Sequence, residues 1–192
     1  MVKTKVYVTG HSFVRRLGNH ILTSRWSSNF DTDNIHCLIQ GRSGGTVSKL
    51  LQTESVEHIR IYGPSIVCVH IGENDIDSDK FDISHFCVKI EDYIDILLNL
   101  GVKGVVFIGV YYRDSHRSKN LVSVKHENYK NNRALILDYF SSVANPSVLF
   151  HKIKKPYNVG LDGVHLDTQD LKTYFNTVRS AIRRSIKYFK LD

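Results

Sequence analysis

A chain of 192 residues that is 42% hydrophobic has the size of one domain and enough apolar content to bury a substantial core. Lys and Arg number 26 against 19 Asp and Glu, a formal charge of +7 with a pI near 9.3; this draws the protein toward polyanions without naming a function. No run approaches the roughly 20 apolar residues of a bilayer span, and no low-complexity stretch or internal period appears, which argues against a membrane anchor and a solenoid.

The opening MVKTKVYVTG has no apolar segment behind its lysines, so the reading is a single domain over residues 1–192 that is not secreted. Cys37, Cys68 and Cys87 are an odd number of thiols, and the first two lie in apolar runs where a thiol acts as a small hydrophobe. A cytoplasmic, reducing setting is expected.

Short β-branched runs alternate with stretches of helical period. Lys5 to Thr9 reads as the first strand, followed by a helix carrying Val14, Leu17, Ile21 and Leu22 on one face. Ile35 to Gln40 reads as the second strand, with a weaker helical pattern from Thr46 to Ile61. Ser65 to Ile71 is the third, and Phe86, Ile90, Tyr93, Ile94 and Leu97 mark the helix after it. Gly104 to Val110 is the fourth, with a helix through Tyr129, Arg133, Ile136, Tyr139 and Phe140. Ser147 to His151 is the fifth, and a last helix carries Leu171, Phe175, Val178, Ile182, Ile186 and Phe189. This order predicts a three-layer α/β/α sandwich around a five-stranded parallel sheet, whose ligands bind beyond the carboxyl ends of the strands.

The segments after the strands are therefore where chemistry is expected. After the first comes Gly10-His11-Ser12, a tight turn that places Ser12 at a helix N-terminus. There it can cap the helix, or act as a nucleophile beside amides able to hold an oxyanion. After the second comes Gly41-Arg42-Ser43-Gly44-Gly45-Thr46, a flexible turn lacking the lysine and spacing of a phosphate-binding loop. Its Arg42 faces solvent or an anionic substrate. After the third comes Gly72-Glu73-Asn74-Asp75, where Asn74 can offer an uncharged amide donor or merely shape a turn. Near the end, Asp162-Gly163-Val164-His165 sets a carboxylate close to an imidazole suited to general base work near neutrality. Each cluster alone is weak; four on one rim, supplying nucleophile, two oxyanion donors and a base with its orienter, form a specific pattern.

That pattern resembles the SGNH (GDSL-like) hydrolases, whose blocks centre on a serine, a glycine, an asparagine and a histidine. Gly10-His11-Ser12, Gly44-Gly45-Thr46, Gly72-Glu73-Asn74-Asp75 and Asp162-Gly163-Val164-His165 match them in order, over nearly the whole chain. The resemblance implies a flavodoxin-like fold and hydrolysis of acyl or acetyl esters without a cofactor. Ser12, Asp162 and His165 would be catalytic, and the Ser12 and Gly44 amides with the Asn74 side chain would form the oxyanion hole. One position departs: the family usually carries Asp where this chain has His11, which puts rate and pH optimum in question. The run GHSFVRRL is also similar to the esterase-like domains of some animal retrotransposons, which implies origin in a larger polyprotein.

A second class of function is a binding module on the same fold, meeting nucleic acid or another anionic surface. Arg179, Arg183, Lys187 and Lys190 line the last helix opposite its apolar stripe, and Arg113, Arg117 and Lys119 follow the fourth strand. The loop Tyr111-Tyr112-Arg113-Asp114-Ser115-His116 should border the crevice. Metal catalysis is not expected, because no HExxH or paired CxxC spacing occurs.

Overall fold

The computed structural model describes residues 3–78, 80–112, 122–153 and 165–191. Within them the elements run β1 (Thr4–Gly10), α1 (Ser12–Thr23), β2 (Ile35–Gly41), α2 (Val47–Leu50), α3 (Thr53–Tyr62), β3 (Ile66–His70), α4 (Ile83–Asn99), β4 (Gly104–Ile108), α5 (Val122–Ser142), β5 (Val148–His151) and α6 (Thr168–Tyr188). The strands form one sheet in the order β2-β1-β3-β4-β5, with every pair parallel.

Because side chains alternate along a strand, each strand feeds two cores. Val6 and Val8 of β1, Ile66 and Cys68 of β3 and Val106 and Ile108 of β4 pack with α1 and α6 on one face. Tyr7, Val67, Val69, Val105 and Phe107 pack on the other face with α4 and α5. The chain steps from β1 outward to β2 and then back across β1 to β3, so the order reverses between β1 and β3. In open parallel sheets the crevice at that reversal is the usual ligand site.

Two details differ from the sequence reading. Leu22, assigned to the buried stripe of the first helix, is 85% exposed. The weak helix from Thr46 to Ile61 is two helices, broken where Gln52 turns extended. The break is stabilised locally: the Ser55 hydroxyl donates to the Lys49 carbonyl at 3.0 Å, using an acceptor that the end of α2 would otherwise leave unpaired.

The three thiols are free, with Cys68 fully buried. Burial pushes the Cys37 thiol up to about 12 and raises Cys68 as well, so neither is a thiolate nucleophile near neutrality. Among the described residues no helix is long and apolar enough to cross a membrane.

Candidate active site

The turn after β1 is fixed by backbone contacts. Gly10 adopts φ +149°, and a Cβ on it would lie 2.0 Å from the His70 carbonyl oxygen, so only glycine fits between β1 and β3. The His11 amide donates to that same carbonyl at 3.2 Å. α1 then begins at Ser12, but Ser12 is not its cap. His11 occupies the cap position, and its Nδ1 accepts the Phe13 N–H at 3.3 Å. Ser12 is left at the first helical position, 5% exposed.

The glycine turn after β2 docks onto this one. The Arg42 amide donates to the Gly10 carbonyl at 2.8 Å, and the Gly45 amide closes its own turn on the Arg42 carbonyl at 3.2 Å. A Cβ on Gly45 would sit 3.0 Å from the His11 Cα. Gly44 has φ +59°, and its carbonyl receives Lys49 Nζ at 2.8 Å; among the described residues its amide takes no backbone bond. The Arg42 guanidinium is committed to Gln52 Oε1 at 2.9 Å and Glu54 Oε2 at 2.7 Å, which argues against its waiting for an anionic substrate.

From the third loop, Asn74 Nδ2 donates to the Gly45 carbonyl at 2.8 Å. Asp75 Oδ1 accepts the Val47 amide at 3.1 Å and so caps α2 from outside it, while burial pushes its carboxyl up to about 7. Asn74 and Asp75 border a cavity of about 220 Å³ together with Thr46, Ser48, His85 and Lys89.

Beneath the serine turn lies a network that sequence reasoning missed. His11 Nε2 is 2.8 Å from Glu73 Oε2, and His70 Nε2 is 2.8 Å from Glu73 Oε1. The Tyr111 amide donates to Oε1 at 2.7 Å, and the Tyr174 hydroxyl pairs with His70 Nδ1 at 2.7 Å. His11, His70, Glu73 and Tyr174 are all fully buried. Burial alone would raise the Glu73 carboxyl, but the facing His11 and His70 outweigh it and hold the group well below the usual carboxylate range. The signal in the sequence was His70 three residues before Glu73, at the end of a buried strand.

Two imidazoles and a carboxylate are a donor set that a divalent metal accepts, and their atoms lie within 4.8 Å of one another. The protonation pattern argues for a polar contact without a metal instead. His11 Nδ1 accepts a backbone N–H, so the proton of the neutral ring is on Nε2, which faces Glu73 Oε2 at 2.8 Å and has no lone pair for a metal. The two histidines also face different oxygens of the carboxylate.

His165 is half-buried just before α6. Its neighbour Leu166 packs into the same core cluster as Phe13, Tyr111 and Tyr174. Asp162 lies outside the described residues, as do Arg113, Asp114, Ser115, His116, Arg117 and Lys119. Tyr111 is 3% exposed and its carbonyl accepts the Tyr129 hydroxyl at 2.8 Å. On α6, Arg179 meets the Asp31 carboxylate at 3.4 Å, and Arg183 bonds the Thr32 hydroxyl at 3.2 Å and the Asp31 carbonyl.

No protein-family model and no curated protein sequence matches the chain. Solved structures do. A Bacteroides fragilis protein assigned as an acylhydrolase matches with TM-score 0.70 at 14% identity, over 95% of this chain and 88% of that one. A GDSL-like lipase from Bacteroides thetaiotaomicron matches with TM-score 0.65 at 14% identity, over 96% and 88%. A carbohydrate esterase family 3 protein from Talaromyces cellulolyticus gives 0.65 at 12% identity, over 96% and 98%. The chain has the fold of the GDSL-like esterases. At such identities the likeness is one of fold, and activity has to be argued from residues.

Proposed function

We propose that the protein is a serine esterase of the SGNH type, hydrolysing carboxylic (acyl or acetyl) esters. The observation that carries this reading is the hydrogen-bonded junction of three loops at the carboxyl ends of β1, β2 and β3. Gly45 is packed on His11 and held by Asn74, next to a serine that its own helix does not use as a cap.

In this reading the Ser12 oxygen attacks the ester carbonyl while His165 takes its proton, and Asp162 stabilises the imidazolium. The oxyanion is met by the Ser12 and Gly44 amides and by Asn74. Collapse of the tetrahedral intermediate breaks the bond to the alcohol, which leaves with the proton from His165. Water, deprotonated by the same imidazole, then frees the acid and returns the proton to Ser12. Acyl esters are favoured as substrates by the acylhydrolase, lipase and carbohydrate esterase among the structural neighbours. Nothing in the relay calls for a cofactor.

The alternative, a polyanion-binding module, is weakened at two of its cations, since Arg179 and Arg183 are engaged with Asp31 and Thr32. The deciding experiment is hydrolysis of p-nitrophenyl acetate through octanoate by the protein and its Ser12→Ala variant, between about pH 6 and 9. Turnover that disappears in the variant supports the esterase; equal background rates, joined to salt-dependent RNA binding, favour the binding module.

A further inference from the structure

We propose that Glu73 is a positioning residue for Ser12, acting through His11; this rests on the esterase reading above. A Glu73 carboxylate at 0% exposure accepts the Tyr111 amide at Oε1 and is faced at 2.8 Å by His70 Nε2 at Oε1 and by His11 Nε2 at Oε2. A buried carboxylate so enclosed is held in place, because moving either imidazole away uncovers a charge that has no water to turn to.

The bond that matters to Ser12 is the next one out. With its Nε2 set 2.8 Å from Glu73 Oε2, the His11 ring is held with Nδ1 facing the first turn of α1, where it takes the Phe13 amide. Phe13 follows Ser12 directly, so carboxylate, imidazole and helix start form one chain of contacts: Glu73 to His11 to the Phe13 N–H. At the other end, Tyr174 of α6 locks His70, tying the helix that follows His165 to the same carboxylate. A family-like aspartate at position 11 could accept the Phe13 amide by itself. His11 can do so only in the tautomer that Glu73 enforces, so here the glutamate in the third loop takes on the anchoring of the first.

The test is a double-mutant cycle on p-nitrophenyl acetate hydrolysis. Asn at position 11 keeps an acceptor near Nδ1 but loses the reach to Glu73, whereas Gln keeps a donor for Glu73 and loses the acceptor for Phe13. Glu73→Gln should lower kcat about tenfold to a hundredfold with KM within about twofold, the signature of a displaced nucleophile. The same substitution in a His11→Asn background should cost nothing further, and His11→Gln should resemble Glu73→Gln. Equal, additive losses in both backgrounds would mean that Glu73 acts only on general packing, and the proposal falls.

Backbone amide signals of Ser12 and Phe13, read by NMR in wild type and Glu73→Gln, give a second measure independent of turnover. Should the wild type neither hydrolyse esters nor react with a fluorophosphonate serine probe, the esterase reading fails. Shifted Ser12 and Phe13 amides would then still uphold the coupling to Glu73, and unmoved ones would overturn it. Where Glu73→Gln does not fold, Tyr174→Phe, which removes one hydroxyl at the far end of the network, should move the same signals and lower kcat by a smaller factor; no change in either would count against the proposal.

Discussion

The imidazole of His11 accepts the backbone amide of Phe13 at 3.3 Å, and this bond separates the two readings of Ser12. A serine that capped α1 would lose about 1 kcal/mol of stability on truncation to alanine. With His11 in that position, Ser12→Ala should leave the unfolding free energy within about 0.5 kcal/mol while abolishing ester turnover. His11→Ala removes the cap, opens a void and strips a donor from buried Glu73, and should cost roughly 2–4 kcal/mol. Urea denaturation of the two variants checks both; a destabilised Ser12→Ala would return the cap to the serine.

The glycines at the junction are distinguishable from an ordinary helix-end glycine. Gly63 has φ +62° with nothing within 4 Å of a Cβ, so Gly63→Ala should cost about 1 kcal/mol from backbone strain alone. At Gly45 a Cβ meets the His11 Cα at 3.0 Å and the carbonyls of Arg42 and Gly10 at 3.2 Å. Gly45→Ala should therefore push the two turns apart and lower kcat, whereas Gly63→Ala keeps wild-type turnover. Matched kinetics of the two variants would show that the docking of the turns is irrelevant to activity.

The five strands and their order of succession were legible because they alternate with helices at clean spacing, as in Phe86, Ile90, Tyr93, Ile94 and Leu97 of α4, all buried. The break inside Thr46 to Ile61 was not, since it comes at an extended Gln52 and a bond from the Ser55 hydroxyl to the Lys49 carbonyl rather than at a proline or glycine. At the site, Gly10, the turn holding Gly44 and Gly45, and Asn74 could be marked from their residue types. The partnership of His11 with Glu73 and His70 could not: it joins positions 11 and 73 across two strands, and a histidine in a sequence says nothing of which nitrogen carries the proton.

The hydroxyl of Tyr93 is buried and finds no hydrogen-bond partner among the described residues. A buried donor left unpaired is costly, whereas the ring itself is well packed at 0% exposure. Tyr93→Phe should be neutral or stabilise by about 1 kcal/mol, with unchanged turnover. A loss of stability in thermal unfolding would mean that the hydroxyl is satisfied in solution.

Burial raises the Asp75 carboxyl to about 7, from an ordinary value of 3.8. The folded state thus holds a proton that the unfolded chain releases, and the group's contribution to stability is lost as pH rises from about 4 through 7. Asn in its place can still offer an oxygen to the Val47 amide without ever carrying charge. Asp75→Asn should gain roughly 1–3 kcal/mol relative to wild type at pH 8 and little at pH 4. A constant difference between the two proteins at both pH values would show that the carboxyl is not perturbed.

Glu73 has the opposite sign. Its folded carboxyl lies well below the unfolded value of 4.5, so the stability it confers is fully present above that value and drains away as pH falls toward the folded one. The groups that face it act together: His11 just after β1, His70 at the end of β3, and the Tyr111 amide after β4. As Glu73 becomes protonated, the negative charge facing His11 Nε2 is lost, and the cap on Phe13 loosens with it. Wild type should therefore lose stability steeply below about pH 4.5, while Glu73→Gln, weaker at neutrality, should show a flatter acid limb. Thermal unfolding of both proteins from pH 7 to pH 3 reads the difference directly, and parallel curves would place the acid sensitivity elsewhere than Glu73.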